Sequence, residues 1–159
     1  MHKKLKILST VGRCFGAGEV FTGSGSFASL TAIKSSRIFI IHSSSFISAL
    51  NGDKLANKVF SKKIYKLFTA SKGEPVIENM TPLFNEIIDF KPDCIIAIGG
   101  GSVLDTAKLA WVFYEHPDIS QSNLTKAFSI PALRGKCSFI AVPTTAGTGS
   151  EMSSAAVFQ

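Results

Sequence analysis

Residues 93–108 read DCIIAIGGGSVLDTAK. The five apolar residues 94–98 run without alternation, as expected of a strand buried on both faces of a parallel sheet. Gly99, Gly100 and Gly101 follow, and Ser102 and Asp105 lead into a helical pattern through Lys108 and Trp111. A strand, a glycine turn and a helix start aim free backbone N–H groups at an anion. A Cβ in such a turn would block close approach of a phosphate and restrict φ. The pyrophosphate of a dinucleotide is the expected ligand, and a tight turn with no ligand is the alternative.

The pattern extends outward from this stretch. Residues 37–42, RIFIIH, form a second buried-strand run ending in Ser43, Ser44 and Ser45, which suit a helix cap or a turn. Asn51 is placed to cap a helix whose exposed face carries Lys54, Lys58, Lys62 and Lys66, with Leu55, Val59 and Ile64 on the other side. Residues 65–69 are a strand candidate followed by SKGEP. Val76, Met80, Leu83, Phe84, Ile87 and Ile88 make an apolar stripe at helical spacing, with Pro82 marking a boundary or kink.

Nearer the start, residues 19–22 are a short strand candidate closed by the GSGS turn at 23–26, and Phe27, Leu30 and Ile33 suggest a short helix. Residues 1–17 carry little pattern and suit a loose arm or a short extended segment. After the glycine helix, Pro117 ends the pattern, and 116–135 is mostly polar loop with one helical turn around 124–128. Residues 136–142 are another buried-strand candidate stopped by Pro143, then comes TTAGTGSE at 144–151, and 153–158 is the last expected strand. Alternating strands and helices predict one α/β domain over 1–159, with a mostly parallel sheet and right-handed crossovers. In such a sheet ligands bind beyond the carboxyl ends of the strands, and the serines at 43–45, the GEP, the GGGS and the TTAGTGS would share that rim.

At 159 residues the chain can bury roughly 70% of its unfolded surface. With 45% hydrophobic and 18% charged residues, it leaves no room for a large disordered region. The net charge of +6 is spread out, with Lys3, Lys4 and Lys6 at the start and no arginines interleaved with the lysine series. A solvated lysine face is therefore expected, and no nucleic-acid partner. Cys14, Cys94 and Cys137 are odd in number and far apart, and no C-x-x-C pair exists, which predicts a reduced, intracellular chain. No apolar run reaches the ~20 residues of a membrane span, and the basic start lacks a signal-peptide core. A cytoplasmic protein with no membrane partner is the expectation.

Two constellations carry chemistry. Gly99–Ser102 would hold phosphate, the helix start adding about 0.3–1 kcal/mol of charge stabilisation. Asp105, a turn further, would repel a pyrophosphate and so faces a sugar hydroxyl or polar substrate, or else is an ordinary first-turn acid; Lys108 reads as its exposed partner at i+3. In PTTAGTGSE, the hydroxyls of Thr144, Thr145, Thr148 and Ser150 suit a ribose or a nicotinamide amide, the alternative being a Ser/Thr-rich turn before a strand. A serine hydrolase is excluded, since neither a G-x-S-x-G elbow nor an adjacent histidine base is present. His2, His42 and His116 are scattered, with no H-E-x-x-H and no carboxylate cluster, so this chain is not expected to bind a catalytic metal by itself.

With IIAIGGGSVLDTAK at 95–108 and PTTAGTGSE at 143–151, supported by GSGSF, RIFIIHSSS and GEP, the chain resembles the iron-containing (group III) alcohol dehydrogenases. These belong to the dehydroquinate synthase-like and glycerol dehydrogenase superfamily. The resemblance implies a Rossmann-like parallel sheet flanked by helices. It also implies pyrophosphate on Gly100, Gly101 and Ser102, with Thr144, Thr145, Thr148 and Ser153 toward adenine, ribose or nicotinamide. Asp105 matches a family aspartate facing the cofactor or substrate. Ser43 stands where NAD-preferring members often have an aspartate, and Glu74 where an asparagine often precedes the proline.

In the family an aspartate and three histidines of a helical C-terminal domain hold Fe²⁺ or Zn²⁺. The chain stops at Gln159 before any such residue, so a fragment of a longer enzyme is expected, inactive alone and prone to self-association as a homo-oligomer or aggregate. The implied function is hydride transfer between a small alcohol or aldehyde and NAD or NADP, with no catalytic residue in this chain. A glycerol dehydrogenase or dehydroquinate synthase relative, and a non-catalytic nucleotide-binding module, are the alternatives.

Overall fold

The computed structural model describes residues 3–5 (backbone), 19–126 and 129–159. His2, Lys6 and Cys14 lie outside the described residues, as do most of the expected loose arm and the end of the helical turn expected at 124–128.

A small ribbon opens the chain: β1, Lys3–Leu5, pairs antiparallel with β2, Val20–Thr22. A 3₁₀ helix, Ser26–Ala32, follows the expected GSGS turn, where Gly23 and Gly25 have positive φ. Next come β3, Arg37–His42, α1, Ser44–Leu50, α2, Gly52–Phe60, and β4, Ile64–Thr69. A 3₁₀ turn, Ile77–Met80, runs into α3, Thr81–Phe90. Pro82 sits in the first turn of α3, where its missing N–H costs nothing, so it starts the helix rather than kinking it. Then follow β5, Cys94–Gly99, α4, Gly101–Glu115, the single-turn α5, Gln121–Leu124, and β6, Ser138–Pro143.

The main sheet has the order β4-β3-β5-β6, every pair parallel. It is the expected Rossmann-like α/β arrangement. The register sets Ile38 beside Tyr65 and Cys94, and Cys94 beside Ser138. From β3 the chain steps to β4 and then returns past β3 to β5, so the winding reverses between β3 and β5. Open α/β sheets place their ligand crevice at such a reversal.

The two central strands have apolar residues on both faces because helices cover both. Phe39, Ile41, Ile95 and Ala97 pack with Leu83, Ile87, Leu104 and Ala107 on the α3–α4 side. Ile38, Ile40, Ile96 and Ile98 pack with Leu30, Phe46, Ala56 and Phe60 on the other. Each fully buried isoleucine contributes about 1.5–3 kcal/mol of transfer free energy. Asp93 secures the start of β5 by accepting the N–H groups of Ser36 (2.8 Å) and Arg37 (2.9 Å).

Four expectations need correction. The lysine series is not one helix face: α2 ends at Phe60, Lys62 lies in the following turn, and Lys66 is on β4, paired with Glu86 at 2.9 Å. The core face of α2 is Gly52, Ala56 and Phe60, while Ile64 on β4 is 56% exposed. β6 is an edge strand, so its middle residues are only half-buried. Residues 153–158 form no strand and do not join the sheet.

Candidate functional site

Parallel pairing puts the carboxyl ends of β3, β4, β5 and β6 on one edge, so Ser43, the GEP, the glycine turn and the 144–150 loop share that rim. β5 delivers Gly99 to the edge, and Gly100 is the N-cap of α4. Gly100 has φ −80° and ψ −174°, extended backbone that any residue adopts. The expected need for unusual φ is therefore not what requires glycine there. Space is. A Cβ on Gly100 would meet Thr145 Oγ1 at 3.1 Å, and one on Gly101 would meet Ser150 Oγ at 3.3 Å and Thr148 Cγ2 at 3.4 Å. A Cβ on Gly99 would lie 2.7 Å from Val103 Cβ, inside the helix's own first turn.

The glycine turn thus packs against the second motif. Thr144 N–H donates to Gly99 O at 2.9 Å, joining the two just past the ends of β5 and β6. Gly147 and Gly149, at φ 93° and 66°, bend the loop through the left-handed region that favours glycine. Gly100 O accepts the N–H groups of Val103 and Leu104, both at 3.1 Å. The N–H groups of Gly101 and Ser102 are left at the start of α4 with no carbonyl partner inside the helix, an anion-binding geometry. Ser43, across the winding reversal, donates its N–H to Ile98 O at 3.0 Å and holds its Oγ 2.8 Å from Ser45 Oγ. It caps α1 by position, without a side-chain bond to the helix.

The sheet edge therefore brings together Gly99, Gly100, Gly101, Ser102, Thr144, Thr145 and Thr148, with Ser43 beside them. Asp105 and Ser153 belong to a different arrangement. Asp105, 6% exposed, accepts from Lys108 Nζ at 3.3 Å and from Val157 N–H at 3.2 Å. Lys108 is not the exposed partner expected: its side chain is 13% exposed and also reaches Ala155 O at 2.5 Å and Ser153 Oγ at 3.4 Å. Glu74 Oε2 accepts from Gln159 Nε2 at 3.1 Å.

Sequence reasoning missed Glu115. Buried at the end of α4, it accepts the backbone N–H groups of Gly135, Lys136 and Cys137 at 2.9–3.1 Å, which sets the path into β6. An acid four residues after Trp111 on a helix bound for a strand start was the available signal, but nothing local distinguishes it from a surface glutamate. Burial raises the Glu115 pKa, but the N–H bonds from Cys137, Lys136 and Gly135 outweigh it, and the net shift is downward. Burial, then the charge of Glu115, pushes the Cys137 thiol up to about 12, and burial raises Cys94. Neither thiol is a nucleophile at neutral pH.

The described residues do not fit a catalytic metal. Among the described residues no group of three His, Cys, Asp or Glu side chains converges. His42 ends β3, is 2% exposed and bonds Ser43 O through Nδ1 at 2.9 Å. His116 follows α4, whose 15 residues run about 22 Å back from the rim, and bonds Ala132 O through Nε2 at 2.9 Å.

Among solved structures, the fold resembles an iron-containing alcohol dehydrogenase from Thermococcus thioreducens, with TM-score 0.77 and 30% identity over 86% of this chain and 38% of that one. NADH-dependent butanol dehydrogenase A of Thermotoga maritima shares the fold at TM-score 0.73 and 17% identity, over 86% of this chain and 35% of its own. The architecture is thus that of the N-terminal Rossmann-like domain of alcohol dehydrogenases. The model of the iron-containing alcohol dehydrogenases matches residues 17–159, and the chain belongs to that family. The NADPH-dependent butanol dehydrogenase of Clostridium saccharobutylicum is 31% identical over 149 residues, covering 87% of this chain and 36% of that protein. An alcohol dehydrogenase of Thermococcus barophilus is 33% identical over 144 residues, covering 86% and 38%. The chain spans little more than a third of these relatives' length.

Proposed function

We propose that these 159 residues form a dinucleotide-binding domain that serves a metal-dependent alcohol dehydrogenase. Gly99, Gly100, Gly101 and Ser102 hold the pyrophosphate at the start of α4, and Thr144, Thr145 and Thr148 form the polar wall beside it. The observation that carries this reading is the packing of the glycine turn against the 144–150 loop, where Gly100 faces Thr145 and Gly101 faces Thr148 and Ser150, side chains that a Cβ would crowd. The nicotinamide carries the hydride, and the protein supplies binding and orientation. Small alcohols or aldehydes are the substrate class, by analogy with the butanol dehydrogenase relative. Ser43, lacking a carboxylate, leaves room for a 2′-phosphate, which accords with the NADPH named for that relative. Fe²⁺ or Zn²⁺ ligands come from outside the described residues. The buried free thiols Cys94 and Cys137 accord with a reducing cytoplasmic setting, and no described helix is long and apolar enough to cross a membrane.

Titration of the purified chain with NAD and NADP by calorimetry tests the proposal. The unaltered chain is expected to bind at least one of them, and Gly100→Val to bind at least about tenfold more weakly, at unchanged circular dichroism. Normal binding by Gly100→Val would place the phosphate elsewhere, and no binding by the unaltered chain would refute the reading.

A further inference from the structure

Residues 153–159 form a strap across the rim, and its anchors are unusually specific for a segment outside the sheet. Val157 N–H donates to Asp105 Oδ2 at 3.2 Å, and Ala155 O accepts from Lys108 Nζ at 2.5 Å. Ser153 Oγ lies 3.4 Å from Lys108 Nζ and donates to Ala155 O at 3.2 Å. At the far end Gln159 donates its N–H to Pro75 O at 2.9 Å and accepts from Ile77 N–H at 3.0 Å, the bonding of a one-residue β-bridge. Ala156 and Phe158 pack on the α3–α4 core while Val157 between them is 59% exposed, the period of two of an extended chain.

The strap continues directly from the 144–150 loop. That loop is held at its start by Thr144 N–H on Gly99 O and at its end by Ser153 N–H on Gly149 O, at 3.1 Å. Among the described residues, no hydrogen bond ties 145–150 to another element; Ser150 N–H on Thr148 Oγ1 at 3.4 Å is internal to the loop. Its seat on the glycine turn therefore depends on what holds its two ends.

We propose that Asp105 and Lys108 are positioning residues: they clamp the 153–159 strap and so hold the 144–150 loop against the glycine turn, without themselves touching the dinucleotide. The proposal rests on the dinucleotide reading above and replaces the expectation that Asp105 faces the cofactor or substrate. With side chains only 9% and 13% exposed, the pair is largely shielded from water. Removing one partner leaves the other charge uncompensated, so the singly altered chains should suffer more than a chain altered at both positions.

Hydrogen exchange with residue resolution, read alongside dinucleotide titration, tests it on the full chain. In Asp105→Ala, exchange at the Val157 amide and at the Met152 and Ser153 amides, which close the loop on Gly149 O, should quicken at least about tenfold, while β3 and β5 stay protected. NAD or NADP should bind about tenfold more weakly. Asp105→Asn keeps an acceptor for Val157 and should fall between, and the Asp105→Asn, Lys108→Met double variant should recover part of the loss seen in Lys108→Met alone. If Asp105→Ala does not fold, Lys108→Met makes the same comparison with the Asp105–Val157 bond intact. Lost dinucleotide binding with unchanged exchange at 145–157 would overturn the proposal and make Asp105 a direct ligand contact. Unchanged exchange and unchanged affinity would overturn it too. If the unaltered chain binds no dinucleotide, that reading fails by itself, and the exchange comparison still decides whether the pair clamps the strap and loop.

Discussion

Glu115→Gln isolates the carboxylate that joins α4 to the start of β6. Glu115 Oε2 accepts from Gly135 at 3.1 Å and Lys136 at 2.9 Å, while Oε1 accepts from Lys136 at 3.0 Å and Cys137 at 3.0 Å. Glutamine keeps the shape but only one acceptor oxygen, and its NH₂ must face at least one backbone donor. One or two charge-assisted bonds are lost at about 1.5–3 kcal/mol each, so the variant should lose about 1.5–6 kcal/mol and melt at least about 3 °C lower. Trp111 is the sole tryptophan; it stacks on Phe139 at 5.0 Å and donates to Cys137 O at 3.2 Å. Its fluorescence therefore reports urea unfolding at the perturbed place. Because the folded carboxyl titrates below its ordinary value, its contribution is complete above the unfolded pKa of about 4.3 and is lost as the pH falls through the folded value. The variant should accordingly lose less stability than the parent between neutral pH and about pH 3. A Gln variant within about 0.5 kcal/mol of the parent, with the same acid slope, would refute the assignment of these bonds as the anchor of β6.

Three further outcomes are expected. Gly99→Ala forces a Cβ to within 2.7 Å of Val103 Cβ and Cγ2, and no rotamer change relieves the Cβ contact; chemical denaturation should show about 1–3 kcal/mol of destabilisation, and, because Val103→Ala removes the Cγ contacts, the two changes together should cost less than the sum of each alone. NADP should bind no more than about tenfold less tightly than NAD, and Ser43→Asp should weaken NADP selectively, as read by competitive titration. Supplied with Fe²⁺ or Zn²⁺ and a panel of short alcohols and diols, the 159-residue chain should form no NADH or NADPH; metal-dependent turnover above the protein-free control would reveal a ligand set that the described residues do not show.

Where sequence reading succeeded, one residue pattern had one physical solution. Runs such as RIFIIH and CIIAI have no polar face to offer water, so they belong between two helical layers, and both lie there. Where it failed, the pattern was shared by unlike structures. Lysines at 54, 58, 62 and 66 have the period of a helix, yet Phe60 must turn into the core and the chain leaves the helix there. Residues 136–142 resemble the central strands in composition, but only the strand order reveals that β6 has one neighbour. The rim loops were legible because strand–glycine–helix chemistry is local; which loop touches which glycine was not.

The sequence by itself determined the parallel sheet, the turn at Gly99–Gly101 and the family, since each rests on residue type and short-range order. The tertiary structure alone decided what a side chain at Gly100 would meet, what Asp105 and Lys108 hold, and that Glu115 is an anchor. Gly100 meets Thr145, 45 positions on; Asp105 meets Val157, 52 positions on; and Glu115 meets Lys136, 21 positions on. Distances of that kind are set by how the layers pack, and no local pattern of residues carries them.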